Sequence, residues 1–187
     1  MKTTPILLLL LLLLTVSCAK SDLQKDFNCN ASYDFGKTEI TNDFKNKFSL
    51  DIPKKWSTKF FYNNFQTSFM TADSLKSLTN SFIIDVSLNN GELKINDDFR
   101  EKVIRDIVKK EELKILKFKP TKFKNKNAIW FWSKGKRNNY NFHLFKMIVK
   151  NTTTTYFEIE TKIYGDSLVN ERLCKSISIV ETLKLLK

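Results

Sequence analysis

The sequence predicts an α+β fold, an antiparallel sheet flanked by helices, on the basis of three observations. Several short segments alternate apolar and polar residues, which is the period of a half-buried strand. In residues 97–112 the apolar positions recur every three or four residues, as on one face of a helix. Residues 140–149 are apolar on both faces, which indicates a central strand covered on both sides. Together these patterns predict a helix–sheet–helix sandwich.

The first half of the predicted domain is a run of strands. Residues 48–52 alternate apolar and polar side chains, and Pro53 ends that strand. The segments "TKFFYNN" and "QTSFMTA" predict a hairpin that turns at Asn63 and Asn64. The segment "NSFIIDVSLNN" predicts a further strand over residues 82–88.

The second half contains both predicted helices. Asp98 and Glu101 have the spacing of a capping box at the start of the first helix. The segments "NAIWFWSKGKRNN" and "YNFHLFKMIVK" predict a hairpin around Gly135. Asp166 or Ser167 is the predicted cap of the last helix, and "ETLKLLK" follows that helix as a short strand or tail.

The N-terminus has the three-part layout of an export signal. Lys2 is followed by the apolar run 6–14 and by the small or β-branched residues 15–17. That run spans about 13 Å as a helix, far less than a hydrocarbon core of roughly 30 Å, so no permanent membrane span is expected. Either 1–17 is an ordinary signal peptide, or the following residue, Cys18, is itself modified.

The segment "LTVSC" resembles the lipobox of bacterial lipoproteins, in which a small residue precedes the modified cysteine, although Thr15 stands where leucine is usual. The resemblance implies that peptide 1–17 is removed, that Cys18 carries a diacylglycerol thioether and that its amine is acylated. Two or three acyl chains hold a protein firmly on a membrane. Ala19, next in the chain, resembles the sorting residue of lipoproteins sent to the outer membrane, which implies that part of the bacterial cell envelope.

The chain is strongly basic, with a formal net charge of +12 and a pI near 9.6. We expect no nucleic-acid partner, because an exported protein seldom meets nucleic acid and because bidentate phosphate recognition prefers arginine to lysine. Arginine occurs only as Arg100, Arg105, Arg137 and Arg172. The lysines either are a solvated surface or attract an anionic lipid layer or polysaccharide.

The cysteine count allows one disulfide. If Cys18 is lipidated, Cys29 and Cys174 remain, an even number in an oxidising compartment. A bridge between them would close a very long loop and contribute about 2–5 kcal/mol to stability. The alternative is two unrelated thiols, with Cys174 buried as a small apolar residue.

The segment "KFSLDIPKKW" resembles the first strand of the PsbP-like domain, where the pattern F-x-x-x-I-P-x-x-W recurs. Phe48, Ile52, Pro53 and Trp56 fit that pattern. The order of the later elements fits as well, so the resemblance covers residues 44–187. The preceding residues, 18–43, are polar and without a sustained period, and we interpret them as the lipidated N-terminus and a tether.

The sequence contains no recognisable catalytic or metal-binding constellation. His143 is the single histidine, and it lies in the apolar central strand without a Cys/His cluster that would complete a metal site. We therefore predict a packed structural histidine, no catalytic residue, no metal and no cofactor. The protein is expected not to be an enzyme.

The segment "KFKPTKFKNK" contains a lysine strip that is interleaved with Phe118 and Phe123. The strip consists of Lys117, Lys119, Lys122, Lys124 and Lys126. Either it lies on an acidic surface, or its lysines protect an edge strand from pairing with other chains. Trp130 and Trp132, on one face of the next strand, either stack on sugars or pack in the core.

The leading hypothesis is a lipid-anchored envelope protein that is not an enzyme. PsbP-like relatives assist assembly of a membrane complex or bind a protein partner, so the resemblance implies one of these roles here. The competing hypothesis is a binding module for an anionic glycan or lipid that uses the lysine strip and the two tryptophans.

Overall fold

A computed structural model describes residues 20–30 and 32–186 of the chain, so the predicted signal peptide and Cys18 lie outside the described residues. The main sheet has seven strands, all antiparallel to their neighbours, in the order β3-β4-β5-β9-β8-β7-β6. Its strands are β3 (Ser57–Tyr62), β4 (Gln66–Ala72), β5 (Ile83–Asn90), β6 (Lys114–Phe123), β7 (Lys126–Arg137), β8 (Tyr140–Lys150) and β9 (Thr155–Tyr164).

A smaller sheet and the helices cover the two faces of the main sheet. The small sheet has the order β1-β2-β10. These remaining elements are β1 (Thr38–Asn42), β2 (Phe48–Pro53), β10 (Lys184–Leu185) and the helices α1 (Asp22–Asp26), α2 (Asp97–Arg105) and α3 (Val169–Val180). The predicted α+β class, an antiparallel sheet flanked by helices, is confirmed.

Two hydrophobic cores lie on opposite faces of the main sheet. The first core contains Trp130 and Phe145 from the sheet, against which α1, α3 and the small sheet pack. The second core contains Phe131 and Phe142, against which α2 packs through Val103. Strand β8 contributes to both, which confirms the prediction from its doubly apolar sequence. Each large side chain buried in this way contributes about 1.5–3 kcal/mol.

Helix α2 is capped two positions earlier than the predicted capping box. The Asn96 side chain accepts a 2.9 Å hydrogen bond from the backbone N–H of Phe99 and so caps the helix, rather than Asp98 with Glu101. Asn and Asp are comparable caps, and Asp98 is left in the first turn, where its charge favours the helix dipole. After Arg105 the chain continues as a π-helical turn over Asp106–Lys110.

The β7–β8 hairpin turns at Asn138 and Asn139, and the predicted turn at Gly135 is wrong. Both asparagines have a left-handed backbone, with φ of 49° and 65°, as a tight two-residue hairpin turn requires. Gly135 lies inside β7, where a Cβ atom would come within 2.6 Å of the Leu113 side chain. The glycine therefore serves a close approach of the two segments and not a turn.

The last helix lacks the predicted side-chain cap. Helix α3 is preceded by Leu168 in a left-handed conformation with φ 50°, and no side chain caps its first turn. Asp166 instead contacts Asn141 and His143 on strand β8. A polar residue that precedes a helix can thus be used by a neighbouring strand, which local sequence does not reveal.

The predicted tether differs from the structure over its described part. Ser21 and Gln24 form a capping box at the start of α1, and Leu23 and Phe27 are buried in the first core. Strand β1 pairs along its whole length with β2. The domain therefore begins at about residue 21 rather than 44, because a few well-spaced apolar residues suffice to fix a short segment on an existing core.

A disulfide joins this N-terminal segment to the last helix. Cys29 and Cys174 have a Cα–Cα distance of 5.3 Å and are separated by 145 residues in sequence. Both residues are buried in the first core. The described residues between Cys29 and β1 are therefore fixed at one end by this bond and at the other by β1.

Arg172 of α3 fixes the helix to two loops. Its side chain is buried, and Nη1 donates hydrogen bonds to the carbonyl oxygens of Thr79, Ser81 and Tyr164 at 2.8–2.9 Å. Nη2 donates to the carbonyl oxygen of Gly165 at 3.1 Å. One guanidinium thus satisfies four carbonyl groups that would otherwise lose their hydrogen bonds to water.

Candidate functional site

The lysine strip does not form one surface. Lys117 and Lys119 pair with Trp132 and Trp130 on β7 and so lie on the face that carries α1, whereas Lys122 lies on the opposite face. Lys124 lies in the turn after β6, with φ 50°.

The partners of two of these lysines are within the protein. The Nζ atom of Lys119 is 2.6 Å from Oδ1 of Asp26 in α1. Lys126 donates a 2.7 Å hydrogen bond to the carbonyl oxygen of Asn151. The strip is therefore a set of separate contacts, and it supports the interpretation that β6 is a protected edge strand.

The two tryptophans do not offer a joint sugar platform. Trp130 is completely buried, and its indole N–H donates to Oδ2 of Asp26 at 3.3 Å. Trp132 is half-buried and stacks on the ring of His143, with centroids 5.6 Å apart. The pair belongs to the first core and its margin.

His143 is held by one carboxylate. Its Nε2 lies 2.9 Å from Oδ1 of Asp166, and hydrogen bonds from His143 and Asn141 hold the pKa of Asp166 below its ordinary value. Within residues 20–30 and 32–186, no group of three or more His, Cys, Asp or Glu side chains is arranged to hold a metal ion. The ring stacked on Trp132 has the environment of a packed histidine.

A ladder of charged side chains crosses β5, β9 and β8 on the face that carries α2. Glu160 at its centre contacts Lys146 at 3.0 Å and Lys162 at 3.1 Å, and Lys162 also contacts Asp85 at 3.2 Å. Burial works to raise the pKa of Glu160, but the attraction of Lys146 and Lys162 outweighs it and lowers that pKa.

The same balance acts on the lysines of the ladder. Burial disfavours their charge, but Glu160 with Glu158 raises the pKa of Lys146, and Glu160 with Asp85 raises the pKa of Lys162. These shifts keep the three central groups charged near neutral pH. The ladder is thus arranged as paired charge and not as a group that gains or loses protons in that range.

The two edges of the main sheet differ in their chemistry. Strand β6, at one edge, carries several lysines, Pro120 and an irregular register between Ile115 and Lys117. All three features hinder pairing with another strand. Strand β3, at the other edge, carries a single lysine, Lys59, and no proline. Its outer side therefore lacks the devices that protect β6.

Exposed aromatic side chains accompany this open edge, and we call them the aromatic edge. Its members are Phe44, Phe60, Phe61, Tyr62 and Phe65. Phe61 is 51% exposed and Phe65 is 74% exposed. Phe60 and Tyr62 lie on the face of the first core and Phe61 lies on the opposite face, so large apolar side chains flank both sides of the edge where a partner strand would pair. Single exposed apolar residues are ordinary, but several large ones along one open edge mark an interaction surface.

Local contacts hold the aromatic edge in place. The Asn63 side chain accepts hydrogen bonds from the backbone N–H groups of Phe65 and Gln66 at 2.8 and 2.9 Å, which shapes the tight β3–β4 turn. The ring of Phe44 stacks on Tyr62, with centroids 4.1 Å apart. The aromatic side chains are thus presented on an ordered turn and strand.

Sequence reasoning found strand β3 but missed its aromatic edge. The segment from Phe60 to Tyr62 has three consecutive aromatic residues, and Phe65 follows within the turn. That run is the signal that was available, because a strand with only one covered face would alternate apolar and polar residues and this strand does not.

The described residues contain no helix that is long and apolar enough to cross a membrane.

Comparisons with known proteins identify the fold. No family model and no curated protein matches the chain. The solution structure of PsbP (CyanoP) from Synechocystis has a TM-score of 0.56 at 8% identity, over 84% of this chain and 96% of that one. The Ran-binding protein Mog1p of Saccharomyces cerevisiae has a TM-score of 0.51 at 9% identity, over 80% of this chain and 95% of that one.

A third structure is longer than this chain. A crystal structure from Bacteroides thetaiotaomicron has a TM-score of 0.51 at 15% identity. The match includes 82% of this chain but only 50% of that one. Identities this low show the fold alone. The chain therefore has the α+β fold of these structures, which is the fold that the resemblance of its first strand implies.

Proposed function

We propose that this protein is a lipid-anchored component of the bacterial cell envelope, not an enzyme, whose domain binds a protein partner at the aromatic edge. The observation that carries the proposal is the contrast between the two sheet edges. Strand β6 is protected by lysines, a proline and an irregular register, whereas β3 is open and aromatic. An open edge binds an extended segment of a partner through backbone hydrogen bonds and side-chain contacts.

The membrane anchor in this proposal is Cys18. Its support is the lipobox resemblance of "LTVSC", and Ala19 supports the outer membrane as the destination. The fold relatives add that a domain of this class can bind a protein, since Mog1p is described as Ran-binding. A partner at the membrane would then meet a domain held close to it.

Mass spectrometry of the mature N-terminus tests the anchor. We expect the mature chain to begin at Cys18 with the added mass of a diacylglycerol and an acyl chain, and Cys18→Ser to abolish cleavage and lipid together. Cys29→Ser is the control, because it removes another cysteine and should leave the lipid in place. A Cys18→Ser chain that is processed normally and stays with membranes contradicts the proposal.

Site-specific photo-crosslinking in the native envelope tests the docking surface. A photoreactive amino acid at Tyr62 should give a discrete crosslinked product, and Phe61→Lys should reduce it by about tenfold or more, as loss of a central aromatic contact does. Leu116→Lys is the matched control, because Leu116 is 44% exposed on the other edge strand.

Two results would contradict a partner at this edge. One is a product that persists unchanged in Phe61→Lys while the variant retains the wild-type thermal midpoint. The other is a product composed only of two copies of this chain, which would assign the edge to self-association.

A further inference from the structure

A cleft at the opposite end of β3 from the aromatic turn gathers positive charge around an apolar lining. It has a volume of about 560 Å³, within the size range of small-molecule sites. Phe35, Trp56 and Leu75 supply its apolar surface. Its charged residues are Lys37, Lys54, Lys55, Lys76 and Asp73.

The cleft has an excess of unpaired cations. Lys76 lies 3.3 Å from Asp73, the single acidic residue of the lining. Among the described residues, Lys37, Lys54 and Lys55 have no acidic group within 4.0 Å, so three lysines without an acidic partner line the cleft. An apolar wall beside them lowers the local dielectric constant and strengthens their attraction for an anion.

The walls of the cleft are tied to one another. The backbone N–H of Lys54 donates to the carbonyl oxygen of Lys37 at 3.0 Å, which joins the segment before β1 to the β2–β3 turn. The segment after β4 forms the third wall of the cleft, and within it the Asp73 carboxylate accepts a 3.2 Å hydrogen bond from the backbone N–H of Leu75. Such ties reduce the ordering that a ligand would have to impose on binding.

Trp56 provides an amphipathic surface within the cleft. It is half-buried and packs edge-on against Phe82, with centroids 5.1 Å apart. Among the described side chains its indole N–H has no acceptor, whereas that of Trp130 is bonded to Asp26. An indole in this position offers an apolar face and a free donor to the same ligand.

We propose that this cleft binds an anionic amphiphile, with its acidic head group at the lysines and its apolar part against Phe35, Trp56 and Leu75. Lysine holds a phosphate or carboxylate as a point charge and imposes no fork geometry. The acidic group belongs either to a free small molecule or to an acidic membrane lipid. This site is separate from the aromatic edge and does not depend on it.

Calorimetric titration of the full-length protein in phosphatidylcholine nanodiscs tests the site, with hexyl phosphate as the probe. We expect hexyl phosphate to bind at least about tenfold more tightly than inorganic phosphate or hexanol, because each of these offers half of the recognised chemistry. Equal affinity for hexyl phosphate and inorganic phosphate would overturn the proposal, as would no binding of hexyl phosphate.

Two variant pairs separate the site from general attraction. Lys54→Glu with Lys55→Glu should weaken hexyl phosphate binding by about tenfold or more, since it reverses two charges of the cleft. Lys134→Glu with Lys136→Glu, on exposed positions of β7, makes the same change in net charge and should leave the affinity within about twofold. Equal weakening by both pairs would overturn the proposal.

Two further measurements complete the test. Leu75→Ser removes apolar surface at a residue that is 76% exposed, so the fold is preserved, and it should weaken hexyl phosphate but not inorganic phosphate. Nanodiscs of phosphatidylglycerol should compete with hexyl phosphate if the ligand is a membrane lipid, and should not compete if it is a free molecule. A Leu75→Ser protein with unchanged preference for hexyl phosphate contradicts the apolar half of the site.

Discussion

Removal of the disulfide by Cys29→Ser with Cys174→Ser is expected to lower the free energy of unfolding by about 2–5 kcal/mol. The bond joins residues 145 apart, so the unfolded chain gains much conformational freedom when the bond is absent. In the folded state, the same bond holds α1 and its buried Leu23 and Phe27 against α3. The effect should therefore be largest on the N-terminal segment.

Denaturant unfolding of the double variant and of the reduced wild-type protein measures this effect. Both should show a lower midpoint, and hydrogen exchange should increase first in residues 21–30. The wild-type protein without reductant is the reference. A loss of less than about 1 kcal/mol would show that packing alone fixes this segment, contrary to the expectation.

Arg172→Met is expected to lower the free energy of unfolding by about 3–5 kcal/mol, because each buried carbonyl group that is left without a donor costs about 1–3 kcal/mol. Methionine fills a similar volume but leaves the carbonyl groups of Thr79, Ser81, Tyr164 and Gly165 without their donor. Arg172→Lys should recover part of the loss, because one ammonium group cannot reach all four oxygens from a single position.

Thermal and denaturant unfolding measure the loss, and Arg105→Met is the matched control. The Arg105 side chain is 58% exposed and contacts Glu101 at 3.8 Å, so its replacement should change the unfolding free energy by less than about 0.5 kcal/mol. A similar small change at Arg172 would show that water satisfies the four carbonyl groups in the variant.

Local patterns predicted the elements of this fold well where burial is the dominant requirement. Strand β8 carries apolar residues on both of its faces, and such a strand is stable only with both faces covered. The hairpin of β3 and β4 was also predictable, because Asn63 and Asn64 separate two segments rich in strand-forming residues and Asn63 shapes the turn. In these places the local sequence favours a single conformation.

Predictions were less accurate where several residues could perform one role. Asn96 rather than Asp98 caps α2, and Asn138 with Asn139 rather than Gly135 forms a hairpin turn. Which residue caps the helix or forms the turn depends on the segments that lie beside it in the folded protein. Leu113, for example, approaches β7 so closely that a glycine is needed inside the strand.

The candidate sites depended still more on the arrangement of distant segments. The lysine strip is continuous in sequence but divides between two faces of a sheet, because successive side chains of a strand point in opposite directions. The basic cleft shows the converse, since Lys37, Lys55 and Lys76 come from three segments and meet only in the folded protein.

The sequence by itself determined the class of the fold, the identity of its strands and helices, and the lipobox resemblance of its N-terminus, because these follow from the period and composition of neighbouring residues. The tertiary structure decided which strands lie at the edges of the sheet, how the segment before β1 joins the core, and where lysines converge on Trp56. These features follow from the order of strands in space, and that order is set by pairing between segments far apart in the chain.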